Sequence, residues 1–169
     1  EDGTATSTFN IEGPIRPSKL GFALGPFVRK DIGGKYDVCL YETAPNDEVH
    51  YSFECIESLV SVAMQCIEKT GDFSFSFIYI PSLDNYRHFQ GYALIPNSMI
   101  VEKTDPFRFH TVVPKFAEII YSELLIDMVS SDPSVYWITV GITKFLADIA
   151  ASHLYSESYR LDRRWDDIM

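Results

Sequence analysis

The sequence predicts an α+β fold, and three observations predict it. Apolar residues recur at spacings of three and four from Val49 to Ile67. They alternate with serine from Phe73 to Phe77, and they return to helical spacing from Val113 to Met128 and from Val135 to Ile149. At 169 residues, 46% of them hydrophobic, the chain fits one ordinary domain or one domain plus a piece of another, with enough apolar mass for a core.

Taken in order, the chain opens on a polar lead-in without Met, Glu1 to Thr8, as an excerpt of a longer protein would. Gly13-Pro14 and Pro17 mark a loop. Lys19 to Val28 reads as a strand, with Leu20, Phe22 and Leu24 on one face and Gly21, Ala23 and Gly25 on the other, where small residues let another layer approach closely. Asp31 to Gly34 is a turn, and Tyr36 to Tyr41 a second strand. Asn46 or Asp47 can cap a helix whose stripe is Val49, Phe53, Ile56, Val60, Ala63, Met64 and Ile67, closed by Lys69 and Gly71. Asp72 to Ile80 is a strand, apolar on both faces at its end and stopped by Pro81.

Ser82 to Gln90 is polar and loop-like. Gly91 to Val101 returns as a strand interrupted by Pro96-Asn97, a bulge or edge feature. Thr104-Asp105-Pro106 starts a helical region whose buried stripe is Val113, Phe116, Ile120, Leu124 and Met128, with a kink or fresh start at Pro114. Ser131-Asp132-Pro133 repeats the start signal, and Val135, Ile138, Ile142, Phe145, Leu146 and Ile149 define a third helix. Leu161, Trp165, Ile168 and Met169 continue a helical stripe, as where a packing partner has been cut away.

The net charge of −10 repels phosphate backbones, so the expectation is no direct nucleic-acid binding. No apolar run reaches the ~18–20 residues of a membrane helix, and no signal peptide opens the chain. Cys39, Cys55 and Cys66 have no CxxC spacing and read as reduced thiols of an intracellular protein. His50, His88, His110 and His153 are scattered without a metal-ligand partner spacing. Ser130-Ser131 and the Ser74/Ser76 pair lack a nucleophile-elbow pattern. Gly21, Gly25, Gly33 and Gly34 form no phosphate-binding motif.

One spacing carries chemistry. Ala117-Glu118-Ile119-Ile120-Tyr121 is followed, after eighteen intervening residues, by Val140 within Trp137-Ile138-Thr139-Val140-Gly141-Ile142. This resembles the gluzincin zinc aminopeptidases, whose His-Glu-x-x-His helix supplies two zinc ligands at i and i+4 and whose next helix supplies a third, a Glu. Gly91-Tyr92-Ala93-Leu94-Ile95 resembles the family's substrate strand, and Phe22-Ala23-Leu24-Gly25-Pro26-Phe27 resembles the strand that closes its N-terminal β domain.

The resemblance implies a thermolysin-like aminopeptidase catalytic-domain segment over 35–169, truncated on its C-terminal side, preceded in 1–34 by the end of a β domain and a junction. It also implies that the chemistry is gone. Ala117 and Val140 stand at ligand positions with no donor atom, and Tyr121 at the third is a poor zinc ligand. Glu118, the water-activating position, has no metal-bound water to act on. Leu94 replaces the acidic anchor for a substrate's amino group.

The expectation is therefore a pseudoenzyme with no catalytic residue, metal, cofactor or small-molecule substrate. Non-catalytic relatives among the TBP-associated factors share a Trp-x-x-x-Gly-Ile-Ser/Thr-x-aromatic-Leu pattern, here Trp137 through Gly141-Ile142-Thr143-Lys144-Phe145-Leu146, and a Tyr-Ala pair like Tyr92-Ala93. That likeness implies protein partners in a large nuclear complex. Two alternatives stay open: a zinc-dependent aminopeptidase-related hydrolase with a non-standard site using Glu118, His110 or Tyr121, and a generic soluble protein-binding domain.

Overall fold

The structure, a computed structural model, describes residues 19–126 and 136–155. Among these the fold is α+β, a five-stranded mixed sheet with helices. Strands β1 (Val28–Asp31) and β2 (Asp37–Glu42) form an antiparallel hairpin around Gly34, whose φ of 57° suits the turn. Helices α1 (Asp47–Ser52) and α2 (Ile56–Cys66) carry the chain across to β3 (Ser74–Tyr79), which pairs parallel to β2. β4 (Arg87–Phe89) and β5 (Tyr92–Ile95) form a second hairpin, with β5 parallel to β3. The spatial order is β1-β2-β3-β5-β4, so the three parallel strands lie inside and an antiparallel strand closes each edge. Helices α3 (Phe109–Leu124) and α4 (Tyr136–Tyr155) come last.

Alternation decides which face is covered. Val38, Leu40 and Glu42 on β2, Phe75, Phe77 and Tyr79 on β3, and Ala93 and Ile95 on β5 share one buried face. Phe77 meets Phe53 at 5.2 Å and Phe116 at 5.7 Å between ring centroids, and Phe53 meets Phe116 at 4.8 Å. These rings come from the α1–α2 turn, β3 and α3 and are almost fully buried. Both Phe77 contacts are edge-to-face and the Phe53–Phe116 pair is tilted, and such pairs add to the large apolar area each ring removes from water.

Several sequence expectations need correction. The single helix expected from Asn46 to Lys69 is two. Asn46 does cap the first, accepting from the Glu48 and Val49 amides at 2.8 and 3.3 Å. Ser52, fully buried, then sends its hydroxyl back to the Glu48 carbonyl at 2.7 Å and accepts the Val101 amide at 2.7 Å. Such back-bonding bends helices, and a turn at 53–55 comes directly after it. The second helix ends not at Gly71 but in a Schellman cap built on Glu68, with the Glu68 and Lys69 amides on the Gln65 and Met64 carbonyls. Glu68 thereby adopts a left-handed φ of 51°.

Residues 20–27 are not a paired strand; the ladder begins at Val28, although Leu20, Phe22 and Leu24 do face outward. Arg87 to Phe89, within the expected loop, is the edge strand β4. The strand from Gly91 stops at Pro96, where a 3-10 turn over Asn97–Met99 takes over. β5 is interior, so Pro96-Asn97 marks a terminus rather than a bulge. α3 continues through Pro114, which removes one helix hydrogen bond without starting a new helix. Val113, Phe116, Ile120 and Leu124 are buried as expected; Met128, Val135 and the Ser131-Asp132-Pro133 start lie outside the described residues.

α4 is inverted relative to its large side chains. Thr143, Ala147, Ala150 and Ala151 face inward, while Trp137, Ile138, Ile142 and Phe145 are 71%, 41%, 48% and 58% exposed. Both sides of this helix are apolar, so hydrophobicity does not set its roll. Small residues let it come close to α2 and α3, which it packs against, and size decides. Among the described residues no helix is long and apolar enough to cross a membrane.

The packing and the cap each give a stability outcome. Phe77→Ala should cost about 3–5 kcal/mol in urea unfolding, because the cavity opens between three elements. Glu68→Gly should raise stability by about 0.5–1 kcal/mol by relieving the left-handed strain, read from the same urea midpoint.

Candidate functional site

Ala117, Glu118 and Tyr121 lie on α3, and Val140 lies on α4, which packs against it. Ala117 and Tyr121 are buried, at 1% and 0% exposure, and Glu118 is half-buried. Val140 is half-buried, one turn before Thr143 on the inward stripe of α4. Neither Ala117 nor Val140 has a donor atom. Tyr121 has one, but its buried hydroxyl finds no hydrogen-bond partner among the described residues. Burial pushes this phenol well above the usual tyrosine range, and the neighbouring Cys66 thiol adds to the rise. A metal ligand must give up its proton easily; Tyr121 is held in the opposite state.

The segment resembling a substrate strand is β5. It is paired to β3 on one side and β4 on the other, so its backbone groups are spent within the sheet. Holding an extended peptide by its backbone requires a free edge. That edge belongs to β4, which carries no part of the motif. Ala93 and Ile95 are fully buried, and Leu94 is half-buried on the opposite face.

Charged side chains do meet where β4 faces α3. His88 Nε2 lies 3.0 Å from Glu123 Oε2, with side-chain exposures of 8% and 13%. The other carboxylate oxygen accepts the Gly91 amide at 3.0 Å, and His88 Nδ1 lies 2.9 Å from Lys19 Nζ. A lysine nitrogen only donates, so Nδ1 accepts, and the ring proton sits on Nε2 and goes to Glu123. No spacing rule relates positions 19, 88 and 123. In the sequence His88 is a lone histidine, and Glu123 falls off the apolar stripe of α3 without a motif of its own.

A second histidine–carboxylate pair, His50 with Glu42, closes the carboxyl end of β2. Glu42 is 2% exposed and also accepts the Asn46 amide at 3.3 Å, which ties the strand to the cap of α1. Cys39 is buried with its thiol 3.3 Å from Asp31, and burial and that carboxylate push it up. Cys55 is pushed up to about 12 by burial. Neither is a poised nucleophile. Cys66 is exposed, as is His153, and His110 sits half-buried in the first turn of α3. Ser130-Ser131 lies outside the described residues.

An open groove of about 710 Å³ at the amino ends of β2 and β3 is lined by Lys35, Lys69, Asp37, Glu68 and Asp72 among others. Its mixed signs favour no one ligand charge, and open α/β sheets bind ligands at the other strand end. Among the described residues, no group of three or more His, Cys, Asp or Glu side chains is arranged to hold a metal ion. No protein-family model matches the chain, and no curated protein matches it.

The Tyr121 phenol gives a pH outcome. Its folded-state value is raised, so the folded form keeps a proton that the unfolded chain releases. Its contribution is fully present below about pH 10 and is lost as pH rises from there toward the folded value. Tyr121→Phe should match or exceed wild-type stability by up to about 1 kcal/mol at neutral pH. It should also lose less stability between neutral pH and the alkaline limit, as urea unfolding at a series of pH values would read.

Proposed function

We propose that this chain is an aminopeptidase-like pseudoenzyme segment that serves as a structural and interaction module of the general transcription factor TFIID, in the manner of its TBP-associated factor 2 subunit. The finer fold assignment, a thermolysin-like segment after the end of a β domain, belongs to the same proposal. The observation that carries the loss of catalysis is the chemistry of the motif positions. Two of the three ligand positions have no donor, and the third holds a buried phenol that resists ionisation. Supporting it, the two segments with motif spacing are α3 and α4, which pack together.

A role in protein association is supported by the uncovered stripe Trp137, Ile138, Ile142 and Phe145 on α4, and by the acidic charge, which suits protein better than nucleic acid. The hydrolase alternative would need Glu118, His110 or Tyr121 to gather a donor set, and the described residues gather none.

The test has two arms. The purified chain should retain well under one equivalent of zinc after gel filtration and should not turn over aminoacyl amides, while it co-elutes with recombinant TBP-associated factors. One equivalent of tightly held zinc, or turnover, would overturn the pseudoenzyme reading. Failure to co-elute with any of those subunits would overturn the TFIID assignment and leave the pseudoenzyme reading standing.

A further inference from the structure

The uncovered side of α4 is confined to its first half. Trp137, Ile138, Gly141, Ile142 and Phe145 are all exposed, and helical periodicity sets them on the side opposite Thr143, Ala147, Ala150 and Ala151. Further along that side, Asp148, Ile149 and Ser152 are already half-buried.

Gly141 interrupts this stripe. A Cβ placed on it would meet nothing within 4 Å, so a notch opens among Trp137, Ile138 and Phe145. Ile142 stands beside the notch with about half of its surface uncovered. The face therefore carries a hole and, one residue along, a side chain of the size that fills it.

We propose that this stripe is the interface of a two-fold dimer, in which α4 packs antiparallel against α4 of a second copy across Gly141. Pairing centred between Gly141 and Ile142 seats each Ile142 in the notch of the other copy and sets each Ile138 against the other's Phe145. In a two-fold contact the same patch must meet itself, and a knob beside a hole satisfies that requirement. The missing side chain at the centre lets the two helix backbones approach, with the large side chains packed around the crossing.

Area sets the strength. On a scale of roughly 150–250 Å² for a whole aromatic side chain, the uncovered parts of Trp137, Ile138, Ile142 and Phe145 sum to about 450 Å² per copy. With the Gly141 backbone and the stem of exposed Lys144, the pair buries about 1,000 Å², the lower limit for a specific interface. Such an area suits a dimer that forms at about 10–100 μM rather than an obligate one. The net charge of −10 on each copy opposes association, and salt screens that repulsion. The dimer does not rest on the assembly proposed above, and the chain by itself tests it.

The experiment is analytical ultracentrifugation of the purified chain at about 1–300 μM, a range that brackets this affinity. A single monomer–dimer equilibrium should appear, and it should tighten between about 0.05 and 0.5 M salt. Gly141→Leu should weaken the dimer about tenfold by filling the notch, although it makes the stripe more apolar and favours the helix. Ile142→Lys should weaken it about tenfold as well, although it lowers the repulsion between copies. Circular dichroism should show both variants folded, since both positions are exposed. A monomer at every concentration, open-ended association in place of a dimer, or undiminished association of Gly141→Leu would each overturn the proposal. An Ile142→Lys chain that still self-associates but no longer co-elutes with TBP-associated factors would give the stripe to a foreign partner and overturn it too.

Discussion

The contact among Phe53, Phe77 and Phe116 is the constraint on which the other placements depend. It joins the α1–α2 turn, the central strand and α3, three pieces that share no backbone ladder with one another. Fixing Phe116 against the sheet fixes the roll of α3. Ala117, Ile120 and Tyr121 then turn inward, and Glu123 is delivered to the β4 edge of the sheet. The polar chemistry of the molecule is thus a consequence of where three phenyl rings fit.

Buried polar groups in this fold act as ties between elements. Ser52 joins α1 to Val101, Glu42 joins β2 to α1 through His50 and the Asn46 amide, and Glu123 joins α3 to the β4–β5 hairpin through His88 and the Gly91 amide. Each accepts or donates more than one bond, which is what makes its burial tolerable. Tyr121 and Tyr92 are exceptions, buried hydroxyls with no hydrogen-bond partner among the described residues. Tyr121 occupies one of the positions that the proposed resemblance assigns to a zinc ligand.

The two helices with motif spacing differ in what they contribute. α3 is a core helix, buried on several sides. α4 sends its small residues inward and leaves aromatic and branched ones uncovered, a distribution that suits a helix shared between a domain and something beyond it. A scaffold role, as proposed, needs that outward apolar face more than it needs any single reactive side chain.

Much of the fold was legible because period and punctuation are local. The alternation of Phe73, Phe75, Phe77 and Tyr79 could only suit a strand with one face in the core, and the side chain of Asn46 reaches only the first amides of its own helix. The absence of ligand chemistry at Ala117 and Val140 is likewise a property of residue type alone. Sheet order, the interior position of β5 and the edge strand Arg87–Phe89 were not legible, because a short strand acquires its meaning from its neighbours. The roll of α4 was hidden for a related reason: when both faces are apolar, volume against the partner helix decides, and volume is a relation between two surfaces. The Lys19–His88–Glu123 contact belongs wholly to the tertiary structure, since residues separated by 69 and 35 positions meet only after the sheet has formed.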